Sequence, residues 1–244
     1  MADFQTVFRR YERKFLMTPA QFEALQAFLR ERMVPDRYGK SKVCNLYYDT
    51  PDFYLIRTSI EKPFYKEKLR IRCYGVPDRS STTFVEIKKK YDRVIYKRRI
   101  HLPHADAMAY LHGDIPLPEP SQIGNEIDFF LQRYRSLQPA LITTYDREAL
   151  YGKDDPALRV TFDTDVRWRI GDLDLTNGAH GRPLLPPDRI LVEIKIPGAM
   201  PLWLAHELDR LNIRRVSFSK CGRAFSTYQR SPEGAHLFTG GITL

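Results

Sequence analysis

The sequence predicts an α+β fold: an antiparallel β-sheet of about eight strands curled into a barrel, with helices packed outside. Three observations carry this. Eight segments read as strands, and at least five of them carry charge on one face and aliphatic side chains on the other at the two-residue period of a strand. Several of them follow one another through short turns, as in an antiparallel meander. The segments between them carry apolar stripes at helical spacing, enough to cover the aliphatic face of a sheet.

The 244 residues fit one domain, with a core of about 8–228. A hydrophobic content of 43% is enough for a packed interior. The segment 7–16 alternates loosely and starts the sheet, with Glu12 and Lys14 on one face. Thr18-Pro19-Ala20-Gln21 then combines an N-cap, a proline at the first helical position and a Gln three residues on, which starts a helix. A strand follows at 43–49, then a short helical turn at 52–58.

The segment Tyr65–Tyr74 is the most charged strand. One face carries Lys66, Lys68, Arg70 and Arg72; the other carries Glu67, Leu69, Ile71 and Cys73. Alone, such a row also reads as a solvated edge strand, where lysine discourages aggregation. Strands at 83–90 and 94–102 come next. The first places Glu86 and Lys88 on one face, the second Lys97 and Arg99. Helices are predicted at 103–111 and 123–137, separated by a proline-rich loop. Strands at 141–148, bearing Arg147, and 157–167, bearing Arg159, lead to a turn-rich stretch. The segment 189–196 alternates cleanly, with Glu193 and Lys195 opposite four aliphatic residues. A helix at 201–211 precedes a tail with little predicted structure after Ser231.

A solvated sheet face mixes both signs with Ser, Thr and Gln. Here the polar faces are cationic, and the net charge is +9 with a pI of about 9.4. In a barrel whose apolar side is covered, those cations line the interior and suit a polyanion, because Lys and Arg form charge-assisted hydrogen bonds to phosphate. Glu12, Glu86 and Glu193 are then candidate ligands for a divalent metal bridging phosphate oxygens. Cross-strand ion pairing within Glu86/Lys88 and Glu193/Lys195 is the alternative. No phosphate-cradling glycine loop, Ser/His/Asp arrangement or run of basic and aromatic residues is present, so no nucleic-acid partner is expected. Three distant cysteines match no zinc spacing and read as reduced thiols of a cytoplasmic protein. No signal peptide or membrane span is predicted.

Nine segments in order resemble the VTC domain, the polyphosphate polymerase branch of the triphosphate tunnel metalloenzymes, related to CYTH domains. They are Tyr11-Glu-Arg-Lys-Phe15, Leu46-Tyr-Tyr-Asp-Thr-Pro51, Leu69-Arg-Ile-Arg-Cys-Tyr-Gly75, Val85-Glu-Ile-Lys88, Val94-Ile-Tyr-Lys-Arg-Arg99, Tyr145-Asp-Arg147, Leu158-Arg-Val-Thr-Phe-Asp-Thr-Asp165, Leu191-Val-Glu-Ile-Lys195 and Phe218-Ser-Lys220. The resemblance implies an antiparallel tunnel holding triphosphate or polyphosphate. By position, Lys14, Arg70, Arg72, Lys88, Lys97, Arg147, Arg159 and Lys220 grip phosphates. Lys68, Arg99 and Lys195 join them from the polar faces. Glu193 becomes the main carboxylate for Mn²⁺ or Mg²⁺. Polymerase members move the γ-phosphate of ATP onto a growing chain, whereas other tunnel enzymes hydrolyse triphosphate. Hydrolytic relatives often begin Glu-x-Glu-x-Lys; Arg10 stands at the first of those glutamates, which leans away from hydrolysis. Without a sensor domain or membrane helices, the chain is similar to free-standing microbial versions, and the resemblance leaves a membrane partner and the oligomeric state open.

Overall fold

The computed structural model describes residues 11–92 and 94–235. Arg10 and the start of the first predicted strand lie outside them. The eight predicted strands are present as β1 (Tyr11–Met17), β2 (Met33–Asp49), β3 (Tyr65–Tyr74), β4 (Thr82–Tyr91), β5 (Val94–Pro103), β6 (Gln138–Gly152), β7 (Arg159–Arg169) and β9 (Ile190–Ile196). Two-residue strands β8 (Arg182–Pro183) and β10 (Arg215–Val216) add to them. The helices are α1 (Pro19–Leu29), α2 (Tyr54–Ile60), α3 (His104–His112), α4 (Gln122–Arg133), α5 (Leu202–Arg210), α6 (Lys220–Gln229) and the single turn α7 (Pro232–Ala235). The predicted start of α1 forms as a full capping box: Thr18 accepts from the Gln21 amide, and the Gln21 side chain accepts from the Thr18 amide.

The strands pair antiparallel in the order β10-β1-β9-β7-β6-β2-β3-β4-β5, with β8 beside β7. Among the described residues no ladder joins β5 back to β10, so the expected barrel is not closed by backbone hydrogen bonds. The sheet is nevertheless curled. Lys88 of β4 reaches Glu12 of β1, from near the opposite end of the strand order, at 3.1 Å. The result is a tunnel with a side-chain seam.

The aliphatic face is covered as expected along two stretches. α3 and α4 bring Ala107, Tyr110, Leu111, Ile127 and Phe130 onto Leu46, Leu69, Ile71, Val85 and Ile87. α1 and α5 bring Leu25, Leu29, Leu204 and Leu208 onto Phe15, Val160, Phe162, Val192 and Ile194. Burial at this density is the dominant favourable term in folding.

Two expectations need correction. Not every helix packs outside: α6 lays Cys221, Ala224 and Phe225 against Tyr47 and Tyr145, which face the cavity. A sequence reading that left this segment unstructured missed that helix. β2 is also ten residues longer at its start than predicted, because Pro35 and Gly39 interrupt the alternation there. Its register on β6 shifts between Pro35 and Lys40, so residues 36–39 form a bulge, which borders the cavity, with Gly39 in the left-handed region at φ 54°.

Candidate functional site: a cationic tunnel

The face of the sheet opposite the covering helices encloses a cavity of about 1950 Å³. β3 supplies Lys66, Lys68, Arg70, Arg72 and Tyr74 to its lining, so the charged face points inward rather than forming a solvated edge. From Lys66 to Tyr74 the strand runs roughly 26 Å at about 3.3 Å per residue.

Cross-strand register places the rest. Lys68 faces Lys88, which faces Lys97; Arg70 faces Glu86, which faces Arg99. Glu86 is fully buried. Arg70 donates to it through Nε and Nη2 at 2.9 and 2.7 Å, and Lys97 Nζ lies 2.6 Å from its other oxygen. Arg72 and Arg99 stand 4.0 Å away. Glu86 does not line the cavity. It is the counter-charge behind four cations, and as a metal ligand it is badly placed. The sequence misread it because Glu86-x-Lys88 and Glu193-x-Lys195 are the same device on paper.

The opposite wall is a second charge lattice. Lys14 pairs with Glu193, and Glu12 with Lys195, which pairs in turn with Arg159. Arg147 grips Asp163 bidentately at 2.6 and 2.7 Å. Lys220, the first residue of α6, donates to Asp163 at 2.5 Å and to Glu193 at 3.2 Å. Lys14 and Arg147 each lie 3.5 Å from Glu193, and Lys195 3.8 Å. Arg159 Nη2 pairs with Asp36 of the β2 bulge at 2.5 Å. Of the predicted residues, Lys14, Lys68, Arg70, Arg72, Lys88, Lys97, Arg99, Arg147, Arg159, Lys195, Lys220, Glu12 and Glu193 all line the cavity.

Neutral and acidic members were missed. Asp163 is fully buried and lies on the polar face with Arg159, an alternation readable in the sequence. Tyr145 and Asn45 gave no such signal. Asn45 accepts from Arg72 Nε at 2.9 Å, and Arg72 Nη2 donates to the Tyr145 hydroxyl at 3.2 Å. Lys220 sits over the Tyr145 ring at 4.3 Å.

Among the described residues, no three His, Cys, Asp or Glu side chains gather to hold a metal alone. Glu12 and Glu193 are diagonal neighbours on one face of β1 and β9. Two hard oxygen donors on a cationic wall fit Mg²⁺ or Mn²⁺, since a site for Mg²⁺ commonly offers only one or two carboxylates. Burial pushes the Glu12 carboxyl up, but Lys88, Lys195 and Lys14 outweigh it and bring it down to about 2. Glu193 is held well below the usual range by Lys220, Lys14 and Arg147 against its burial. Both are therefore ionised donors at neutral pH.

Crowding acts the other way on the lysines. Burial, with Arg72 and Arg70 nearby, takes Lys97 down to about 7 although Glu86 opposes it. One carboxylate cannot balance four cations, and the lysine is the easiest to discharge. Burial and Arg147 take Lys195 to about 8, and burial with Lys68 takes Lys66 to about 8. An entering anion favours their protonated forms, so above those values binding must take up protons. Tripolyphosphate affinity is expected to fall as pH rises from about 6 to about 9, with proton uptake measurable by calorimetry in buffers of different ionisation enthalpy. An affinity that stays level across this range would contradict the placement of these lysines at the ligand.

The VTC domain model matches residues 9–228. The chain belongs to the VTC domain family. Vacuolar transporter chaperone complex subunit 4 of Trypanosoma brucei brucei is 28% identical over 250 residues, covering 86% of this chain and 31% of the relative. The subunit 4 of Trypanosoma cruzi is 26% identical over 182 residues, covering 63% and 22%. The chain thus spans a third or less of these curated relatives. Two solved structures share the fold at 15% identity. A proposed adenylate cyclase from Bacillus halodurans aligns with TM-score 0.55 over 88% of this chain and 96% of its own. A proposed adenylyl cyclase from Hippeastrum, described as having a dominant triphosphatase activity, aligns with TM-score 0.50 over 86% and 92%. The VTC domain here therefore has the triphosphate tunnel fold that these two structures share. No helix among its described residues is long and apolar enough to cross a membrane.

Proposed function

We propose that this VTC domain is a polyphosphate polymerase that transfers the γ-phosphate of ATP to a growing polyphosphate chain inside the tunnel. The observation that carries the reading is the lining: about 1950 Å³ walled by Lys and Arg, with Glu12 and Glu193 on one side. Arg70, Arg72 and Lys88 bind the phosphates from one wall; Arg147 and Arg159 do so from the other. Lys14, Lys68, Lys97, Arg99, Lys195 and Lys220 extend the grip along the bore. Glu193 and Glu12 would hold a divalent cation, which would supply neutralisation of negative charge at the γ-phosphate. A terminal oxygen of the chain attacks the γ-phosphorus, the bond to the β-phosphate oxygen breaks, and ADP leaves. The attacking oxygen is already anionic, so no general base is required. The cations' work is positioning and charge stabilisation.

Incubation of the protein with ATP and Mn²⁺ or Mg²⁺ is expected to yield ADP in step with long phosphate chains resolved on a gel. Release of free orthophosphate alone would replace this reading with a tripolyphosphatase or nucleoside triphosphatase, which the triphosphatase attributed to the Hippeastrum protein of the same fold favours as the second reading. Binding of polyphosphate without turnover would leave a non-catalytic binding module.

A further inference from the structure

Cys221 is the second residue of α6 and borders the cavity, yet the proposed reaction has no use for it. It is buried in the tunnel wall, 2% exposed. The other two cysteines lie elsewhere. Cys44 and Cys73 face each other across β2 and β3 beneath α3 and α4, and neither borders the cavity.

Lys68 reaches Cys221 from β3. Its Nζ donates to the Cys221 Sγ at 2.6 Å and to the Ser219 Oγ at 3.3 Å, and that Oγ stands 3.4 Å from the sulfur. Arg70, two residues on, has Glu86 as its counter-charge; Lys68 has this sulfur instead. The seat of α6 fixes the contact. A Cβ at Gly222 would meet Ile60 of α2 at 3.3 Å, and Phe53 packs on Phe225 with centroids 5.0 Å apart. Burial pushes the Cys221 thiol up, but Lys68 and Ser219 outweigh it and bring it below its ordinary value. A thiol beside a cation at a helix start reacts as the thiolate. Nitrogen and sulfur already stand inside the roughly 3–3.5 Å of a near-attack arrangement.

We propose that Lys68 and Cys221 form a redox modification site, at which a peroxide admitted to the tunnel joins them through a sulfur–nitrogen bond. The Cys221 sulfur attacks one peroxide oxygen and the O–O bond breaks. The leaving hydroxide takes up the thiol's proton as water, and Cys221 becomes a sulfenic acid. The Lys68 amine, having released a proton to solvent, attacks that sulfur. The S–O bond breaks, and the hydroxyl leaves with a proton of the amine as a second water. Sulfur is oxidised by two electrons, and the peroxide is reduced to water. The link ties α6 to β3, and its nitrogen no longer carries a positive charge. The bore thereby loses a phosphate-facing cation, a consequence that rests on the tunnel reading. A thiol reductant restores both side chains.

Treatment of the whole chain with hydrogen peroxide, followed by peptide mass spectrometry, tests this. The peptides holding Lys68 and Cys221 are expected to be joined, lighter than their sum by two hydrogen atoms, and separated again by dithiothreitol. Lys68→Arg and Cys221→Ser are each expected to abolish the joined species. Calorimetric affinity of the wild type for tripolyphosphate is expected to fall roughly ten-fold after peroxide and to recover with dithiothreitol. Cys221→Ser is expected to keep its affinity through the same treatment. Cys221 oxidised without a bond to Lys68, no reaction at Cys221, or a joined chain that binds tripolyphosphate as before would overturn the proposal. Failure of the tunnel reading shows separately, as joined peptides from a chain that bound no tripolyphosphate before treatment.

Discussion

Glu193→Gln is expected to lower turnover of ATP by at least about 10²-fold while tripolyphosphate binding is retained or tightened. The substitution keeps the shape and removes one negative charge. Lys14, Arg147, Lys195 and Lys220 all lie within 3.8 Å of that carboxylate. With its charge gone they are freer to meet an anion, so affinity for the phosphates rises as the metal-binding donor disappears. Asp163 still pairs with Arg147 and Lys220, so the wall keeps an internal counter-charge. The two readouts moving in opposite directions is the signature of a carboxylate that serves the metal. Parallel loss of turnover and binding, measured by ADP release and calorimetry, would make Glu193 a structural anion instead.

Glu86→Gln is expected to do something different: to destabilise the chain by about 3–5 kcal/mol, the cost of stranding buried partners of a removed charge. Arg70 and Lys97 lose an ionised partner at 2.7 and 2.6 Å, and Arg72 and Arg99 lose one at 4.0 Å. The carboxyl itself is held well below 4.5, because Arg70, Arg72 and Lys97 overcome its burial. A depressed carboxylate stabilises the fold above its ordinary value and loses that contribution as pH falls below it, so acid should narrow the gap between variant and wild type. Tripolyphosphate supplies the missing negative charge and binds only the folded chain. It is expected to raise the melting temperature of the variant more than that of the wild type. A variant as stable as the wild type, with metal-dependent turnover alone impaired, would return Glu86 to the metal site.

The contrast between these two glutamates marks what sequence could resolve. Alternation along β3 told which side chains share a face, and the excess of cations told that the face is enclosed. That logic set Arg70, Arg72, Lys88 and Arg147 on the face that lines the cavity, since strand period is a local property. Depth is not local. Glu86 and Glu193 sit in identical Glu-x-Lys contexts, yet the first lies beneath a layer of arginines and the second opens onto the bore. Tyr145 and Asn45 gave no charge to notice, and their roles come from β2 and β6 meeting at long sequence separation. α6 was legible in part: Ser219 caps it, accepting from the Gly222 amide, and Cys221, Ala224, Phe225 and Tyr228 follow helical spacing. Its polar composition and internal glycine hid the pattern.

The seam between β4 and β1 has a mechanical meaning. In a closed barrel, strand number and stagger set the girth, and backbone hydrogen bonds enforce it. Among the described residues the seam is spanned by Lys88 reaching Glu12, with side-chain exposures of 33% and 18%. A side-chain contact fixes the girth less firmly than a backbone ladder does. Lys88 and Glu12 both line the cavity. An anion that drew Lys88 to itself would compete with Glu12 for it, and so would act on the contact that spans the seam.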